Sequence, residues 1–569
     1  MTPWILLLAG AALAAPPVHH VLSVHLDPAD HRLSVDDAFT VGGAVPQDPG
    51  GGYRFVLHAG LEPRIRSRGW RLEPGSAEAP DRATAAEEGE SVPVRTWRLV
   101  PGRRAEAIVR LSMSGEIHHP VVTAETDYAR GFAETPGLVD AAGVFLTGAS
   151  RWVPTFGMER VTYDLAVHLP QGWDAVSQGH RSRTTGRRGS VVVRWTGAGP
   201  AEEVVLAAGP WTGTWTVAGD TEIGTLLVQD DPALAWRYLD ATRRTLAMYE
   251  AILPPYPFPV FVTAENFWET GYGFPGFTLL GPKVLRFPWV LASSFPHEIL
   301  HSWWGNGVLV AAEGGNWCEG LTAYMADHLL AEQRQEGALH RRNTLQRYAD
   351  FVAREGRDFP LSEFTGRTSA ASEAVGYGKA LLLFHMARRS MGDEAFLAAL
   401  NRFFETHRFR RASFADLAAA FDATDPGWRA FFETWTRRTG APRLALGEVG
   451  IRPPERRADA AAWRLEVEVR QVQHEDPFPL TVPVAVTLEG SPVALEVPCT
   501  FEGRTCRVTV PCPNRPLRVD VDPAFDVVRL LDPFEVPPAL STVQGDTEAV
   551  FVLPSGVSEA EDRAWRDLA

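Results

Sequence analysis

Two histidines four positions apart, His297 and His301 in SSFPHEILHSWWGNG, share one face of a helix about one turn from each other. That spacing lets two imidazole nitrogens meet one tetrahedral Zn²⁺, and Glu298, one position round, can reach a metal-bound water. A third ligand is expected from Glu319, eighteen positions beyond His301 in GGNWCEGLTAYMADH. It opens a helix whose Leu321, Tyr324, Met325, His328 and Leu329 form an apolar stripe, so its carboxylate projects from a fixed start. Glu313 competes for the role from a Glu-Gly-Gly loop with no rigid element behind it. Cys318 is the other neighbour to weigh as a closing ligand, but adjacent residues at a helix start point in different directions. Two histidines, one glutamate and one position left for water make the donor set of a catalytic zinc, one ion per chain. Asp327 is placed to support a ligand from behind, although the spacing does not demand it.

The elements around this motif divide the chain. From about residue 16 to 220 the apolar pattern is period-two: in VTYDLAVHLP, Val161, Tyr163, Leu165, Val167 and Leu169 alternate with polar or small residues, as a half-buried strand requires. The segments 46–52 and 78–90 read as loops. At Asp231-Pro232 an N-cap and a Pro at the first helical position open a helix with Trp236, Leu239, Leu246 and Tyr249 at helical spacing. Further helices are predicted over 293–304, 319–335, 338–355, 370–391, 393–407, 413–422 and 426–438, so residues 221–440 form a mainly helical domain. After Gly440-Ala441-Pro442 the alternation returns, predicting a β-sandwich over 441–535. Residues 536–569 read as a short βα tail that cannot bury its own apolar face. The expected fold class is multidomain α+β.

Composition narrows the function. The 569 residues carry 55 Lys and Arg against 70 Asp and Glu, a formal charge of −15, which disfavours a phosphate backbone as partner. Residues 1–15, MTPWILLLAGAALAA, have the apolar run and small-residue end of a signal peptide, predicting an extracytoplasmic protein, periplasmic or secreted. No other stretch approaches a membrane span. Four cysteines are too few for a disulfide scaffold. In VALEVPCTFEGRTCRVTV, however, a hairpin turning at Glu502-Gly503 sets Cys499 opposite Cys506, predicting one disulfide and leaving Cys318 and Cys512 as thiols.

The strings HEILHSWWGN and NWCEG resemble the zinc-peptidase family of aminopeptidase N and leukotriene hydrolase, the gluzincins. That family carries His-Glu-x-x-His-x-Trp-Phe-Gly-Asn and then Trp-x-x-Glu-Gly. The similarity extends to the β region before 220, the change to helices near 231, Tyr377-Gly378-Lys379 and FFETWTRRTGAP, and covers roughly residues 18 to 535. It implies a thermolysin-like catalytic domain between β domains. It also implies that His297, His301 and Glu319 hold zinc, that Glu298 is the general base, and that Tyr377 donates to the tetrahedral oxyanion. Two departures stand out. One residue is missing between the second His and the third ligand. The exopeptidase signature Gly-x-Met-Glu-Asn, whose Glu binds the substrate's free amine, is replaced by ENFWETGYGFPGFTLLG, with Gly273 at the position of that Glu. Glu265 or Glu269 is the candidate replacement for amine binding. The expected activity is therefore a zinc-dependent peptidase acting on peptide substrates, in first place an aminopeptidase, by Glu-assisted attack of zinc-bound water. The alternatives are a zinc endopeptidase or other amide hydrolase without amine recognition, and a catalytically silent binding relative.

Overall fold

A computed structural model describes residues 16–75, 92–123, 133–157, 160–186, 189–197, 199–311, 313–355, 358–367, 369–454, 463–537, 550 and 552–568. The signal segment 1–15 and the acidic loop 78–90 lie outside the described residues; of the predicted tail strand, Val550 and residues 552–554 are described and are not in a strand. The chain forms two compact units. One comprises residues 1–440 with Asp522–Val528, and the other Ala441–Val521 with Arg529–Ala569.

In the larger unit, alternating apolar residues build sheets first. Strand Val161–Leu169 buries every second side chain, as the period-two pattern requires, and pairs in parallel with Val18–Asp27 inside a seven-stranded sheet. A second sheet of five strands carries the approach to the histidine motif. Its order is Thr212–Ala218, Thr221–Leu227, Val260–Glu265, Phe277–Leu280 and Gly271–Phe274, which leaves Gly271–Phe274 at an edge. Helix Pro232–Glu250 begins where the sequence marks it: the Asp231 side chain accepts the Leu234 N–H, and Pro232 occupies the first turn.

The helices that follow differ from the sequence expectation in one systematic way. The spans predicted over 319–335 and 370–391 are not continuous α-helices. The first runs as Cys318–Ala323, a π-helical turn Tyr324–His328, and Leu329–Gln333. The second runs as Ala370–Glu373, a π-helical turn Ala374–Lys379, and Ala380–Met391. The predicted 293–304 helix is shorter, Ser294–Leu300. Helix Phe414–Asp422 has the capping box legible in its sequence, with Ser413 and Asp416 bonding each other's backbone.

The smaller unit is a pair of three-stranded sheets, with the tail helix Glu559–Leu568 on its chain. Cys499 and Cys506 are disulfide-bonded, and Cys318 and Cys512 are free and buried. The predicted hairpin is corrected, because Leu495–Phe501 pairs with Leu480–Leu488 while Thr505–Cys512 pairs with Trp463–Gln471. The chain changes sheets at the turn, so the disulfide ties two sheets together where a two-stranded ladder was expected. The multidomain α+β class holds, with β sheets before and after a helical middle. No helix among the described residues is long and apolar enough to cross a membrane.

Candidate metal centre

Helix Ser294–Leu300 presents His297 and, at its C-terminal boundary, His301, with ring centroids 4.8 Å apart and planes at 77°. Beneath them Phe295, Ile299 and Leu300 are buried, and Trp303 and Trp304 are fully enclosed, so the histidines stand on a packed wall. The Nε2 atoms of both rings face one carboxylate oxygen, Glu319 Oε2, at 3.7 and 3.6 Å. Ligands about 2.1 Å from a tetrahedral ion stand about 3.4 Å apart, so this donor set fits Zn²⁺. The other nitrogens are tied back. His297 Nδ1 meets Asp327 Oδ2 at 3.1 Å, and His301 Nδ1 meets the Trp304 carbonyl at 3.1 Å. Each Nδ1–H is thus directed away and each Nε2 lone pair toward the shared point.

Glu319 reaches this point because two helices touch almost backbone to backbone. A side chain on Gly320 would collide with Ala380 and crowd the Gly376 carbonyl. The contact brings Tyr377 beside Glu319, close enough for the carboxylate to act on its phenol, and stacks its ring 6.4 Å from that of His297. Glu319 is held down to about 2: burial opposes ionisation, but His301 and His297 outweigh it. Burial pushes Glu298 up against the pull of the same two histidines, and it pushes the Tyr377 phenol well up, helped by Glu319.

The sequence alternatives separate in space. Glu313 lies with Ser362, Phe414 and Arg429 around a different cavity. Cys318 Sγ lies 3.4 Å from His301 Nδ1, on the nitrogen that does not face Glu319. Of the three substrate-binding positions, Glu265, Glu269 and Gly273, only Gly273 is at the centre, where an added methyl would sit 2.9 Å from Glu298 Oε2. Glu265 is buried, pairing with Arg286 at 2.7 Å and accepting the Val228 N–H at 2.8 Å. Glu269 accepts the Lys283 N–H at 3.1 Å.

Alternation explains the bare surface at Gly273. Gly271 and Gly273 share the face of the edge strand turned to Glu298, while on the other Tyr272 stacks on Phe145 at 5.5 Å and Phe274 lies tilted against it at 6.2 Å. The Gly281 N–H donates to Thr270 O, so Tyr272 and Phe274 bond inward to Phe277–Leu280. Gly271 and Gly273 then direct their own N–H and C=O groups to the free edge. The signal for this was the Gly-x-Gly alternation, legible only once the strand and its edge position are known.

Residues 290–435 match the peptidase family M1 domain. The chain is 29% identical over 157 residues to aminopeptidase N of Lactococcus lactis subsp. lactis, covering 26% of this chain and 18% of that protein. It is 24% identical over 168 residues to the mitochondrial aminopeptidase 2 of Saccharomyces cerevisiae, covering 28% and 18%. The chain thus spans about a fifth of the length of these curated relatives. Among solved structures it is similar to aminopeptidase A of Legionella pneumophila, at TM-score 0.63 and 14% identity over 91% of this chain and 59% of that one. It is also similar to the M1 zinc metallopeptidase of Deinococcus radiodurans, at TM-score 0.54 and 19% identity over 75% and 95%. The family resemblance drawn from the M1 domain's His-Glu-x-x-His and Trp-x-x-Glu-Gly strings is borne out, and the structural likeness extends the M1 fold over most of the chain.

Proposed function

We propose that this protein is a zinc-dependent peptidase of the aminopeptidase N type, hydrolysing peptide bonds. The observation that carries the reading is the convergence of His297 Nε2, His301 Nε2 and Glu319 Oε2, with Glu298 beside them and the Tyr377 ring stacked against His297. Zn²⁺ held by this set would polarise a carbonyl and make water acidic near neutral pH. Glu298 takes the proton of the attacking water and passes it to the leaving amine, which general acid–base chemistry requires of one well-placed carboxyl group. Tyr377 turns its hydroxyl from Glu319 to the oxygen where negative charge develops, a donation typically worth about 2.7–4 kcal/mol. Asp327 and the Trp304 carbonyl hold the imidazoles in the required tautomer.

A second reading, peptide-bond hydrolysis without free-amine recognition, is favoured by the glycine-lined strand and by the engagement of Glu265 and Glu269 elsewhere. An extracytoplasmic site of action suits the Cys499–Cys506 disulfide and the apolar N-terminus.

The test compares aminoacyl amides bearing a free amine with N-blocked peptides, with and without a zinc chelator. Chelator-sensitive turnover of the free-amine set is expected, and Glu298→Gln should lower kcat by about 10²–10⁴ with zinc retained. Turnover that ignores both the chelator and the substitution would sink the peptidase mechanism.

A further inference from the structure

The π-helical turn Ala374–Lys379 holds Tyr377 but lacks the regular ladder of an α-helix, so its register needs another anchor. Two glycines flank the tyrosine. A side chain on Gly376 would run into the Phe364 ring, and one on Gly378 would press on Thr344 at 3.0 Å. Close packing on both sides tells the turn where it may lie, but supplies no directional bond.

Lys379, the last residue of the turn, supplies one. It is 1% exposed and donates from Nζ to Asp358 Oδ2 at 2.8 Å and to the Arg438 carbonyl at 3.2 Å. The same Asp358 oxygen accepts the Tyr348 hydroxyl at 2.7 Å and the Gly440 N–H at 2.8 Å, while Oδ1 accepts the Phe359 N–H at 2.8 Å. The carboxylate is therefore fixed from three directions before Lys379 arrives. A buried ion pair of this kind adds little net stability, because desolvation of both charges offsets their attraction. Its best-attested use is to choose one register among near-equals.

Register is what Tyr377 needs. A π turn holds one more residue than an α turn of the same span, so its collapse would swing residue 377 round the helix and detach Lys379 from Asp358. Residues two apart do not share a helix face, so Lys379 can point into the protein while Tyr377 points at Glu319.

We propose that Lys379 and Asp358 are positioning residues whose buried pair locks the π turn in the register that aims the Tyr377 hydroxyl at the metal centre. The proposal rests on the peptidase reading for its kinetic consequence, but its structural part does not.

Lys379→Met alone leaves a buried carboxylate without its cation, so the paired variant Lys379→Met/Asp358→Asn, which removes both charges, is made alongside it. The expected result is a kcat lower by about 10- to 100-fold, with KM, zinc content and unfolding temperature little changed. Tyr377→Phe should lower kcat by about 10²–10³. In that background the paired variant should cost no more than about twofold further, because the latch acts through the hydroxyl already removed. Full additivity, or an unchanged kcat in the folded paired variant, would overturn the proposal. A readout without turnover uses the metal-free protein labelled with 3-fluorotyrosine, its Tyr377 ¹⁹F resonance identified by Tyr377→Phe. That resonance should shift or split in the paired variant, as should that of Tyr348, which loses its carboxylate acceptor, while the remaining tyrosines stay put; an unmoved Tyr377 resonance also overturns the proposal. If the wild type cleaves no peptide, the peptidase reading falls and the resonance still decides the latch.

Discussion

Among the described residues, two clusters of two histidines and one glutamate lie in the helical region, and only one of them is built to take a metal ion. His297, His301 and Glu319 form the first; His328, Glu332 and His385 form the second, and in each the ligand atoms lie within 4.8 Å of one another. In the second, the chain already supplies the cation. Arg341 Nη1 donates to His328 Nε2 at 2.8 Å, Arg388 pairs with Glu332 at 2.8 Å, and His385 Nε2 is bonded to Asp526 at 2.9 Å. Arg341 also grips the Ala524 carbonyl and Asp526, so the guanidinium is locked in place by the returning segment Asp522–Val528. In the first cluster it is the Nδ1 atoms that are tied back, leaving both Nε2 atoms aimed at Glu319. Donor types are the same and both sets are close-set. What differs is which nitrogen the surroundings bind, and whether a guanidinium stands among the donors.

The largest test of that contrast is metal content. Glu319→Ala should take bound zinc from about one ion per chain to a small fraction and abolish chelator-sensitive hydrolysis, because the third donor is lost. His385→Gln should leave zinc at the wild-type level by elemental analysis. Loss of zinc from both variants would make the second cluster a metal site after all. A smaller effect is expected behind the first cluster. Asp327→Asn keeps the shape of the His297 partner but removes its charge, and losses of about 10–100-fold in zinc affinity or activity are typical when such a partner is changed. Competition with a chelator of known affinity measures it, and an affinity equal to wild type would show that Asp327 does not tune the ligand.

The first cluster was legible in the sequence and the second was not. His297, Glu298 and His301 are set by helical spacing, and Glu319 by a helix start with an apolar stripe behind it, so local periodicity was enough. Tyr377 entered through family resemblance alone. The π turns escaped because one extra residue barely disturbs an apolar stripe such as Leu321, Tyr324, Met325 and His328. Asp358 and Lys379 lie 21 positions apart and His385 and Asp526 lie 141 apart, distances over which no periodicity carries information. The same limit explains the hairpin. Alternation around Cys499 and Cys506 gave the strands and the disulfide, but which sheet each strand joined depended on Trp463–Gln471 and Leu480–Leu488, outside the local pattern.

The smallest expected effect is on stability, and it separates the clusters by pH. His328 is held down to about 2, first by burial and then by the charges of His385 and Arg341, with His340 and Arg388 adding to them. The nearby Glu332 carboxylate, 3.9 Å from Nε2, does not reverse this. In the unfolded chain the same imidazole titrates near 6.5. Between those values the unfolded state binds a proton that the folded state refuses, so folding stability rises with pH across the window and falls as pH drops below about 6.5. Burial depresses His385 in the same direction, which deepens the slope. His328→Gln keeps an acceptor for Arg341 but has nothing to titrate. Its urea midpoint should therefore fall less steeply than that of the wild type between pH 7 and 5. Equal slopes would mean that His328 carries its proton in the folded protein, and that the guanidinium does not hold the cation position in the second cluster.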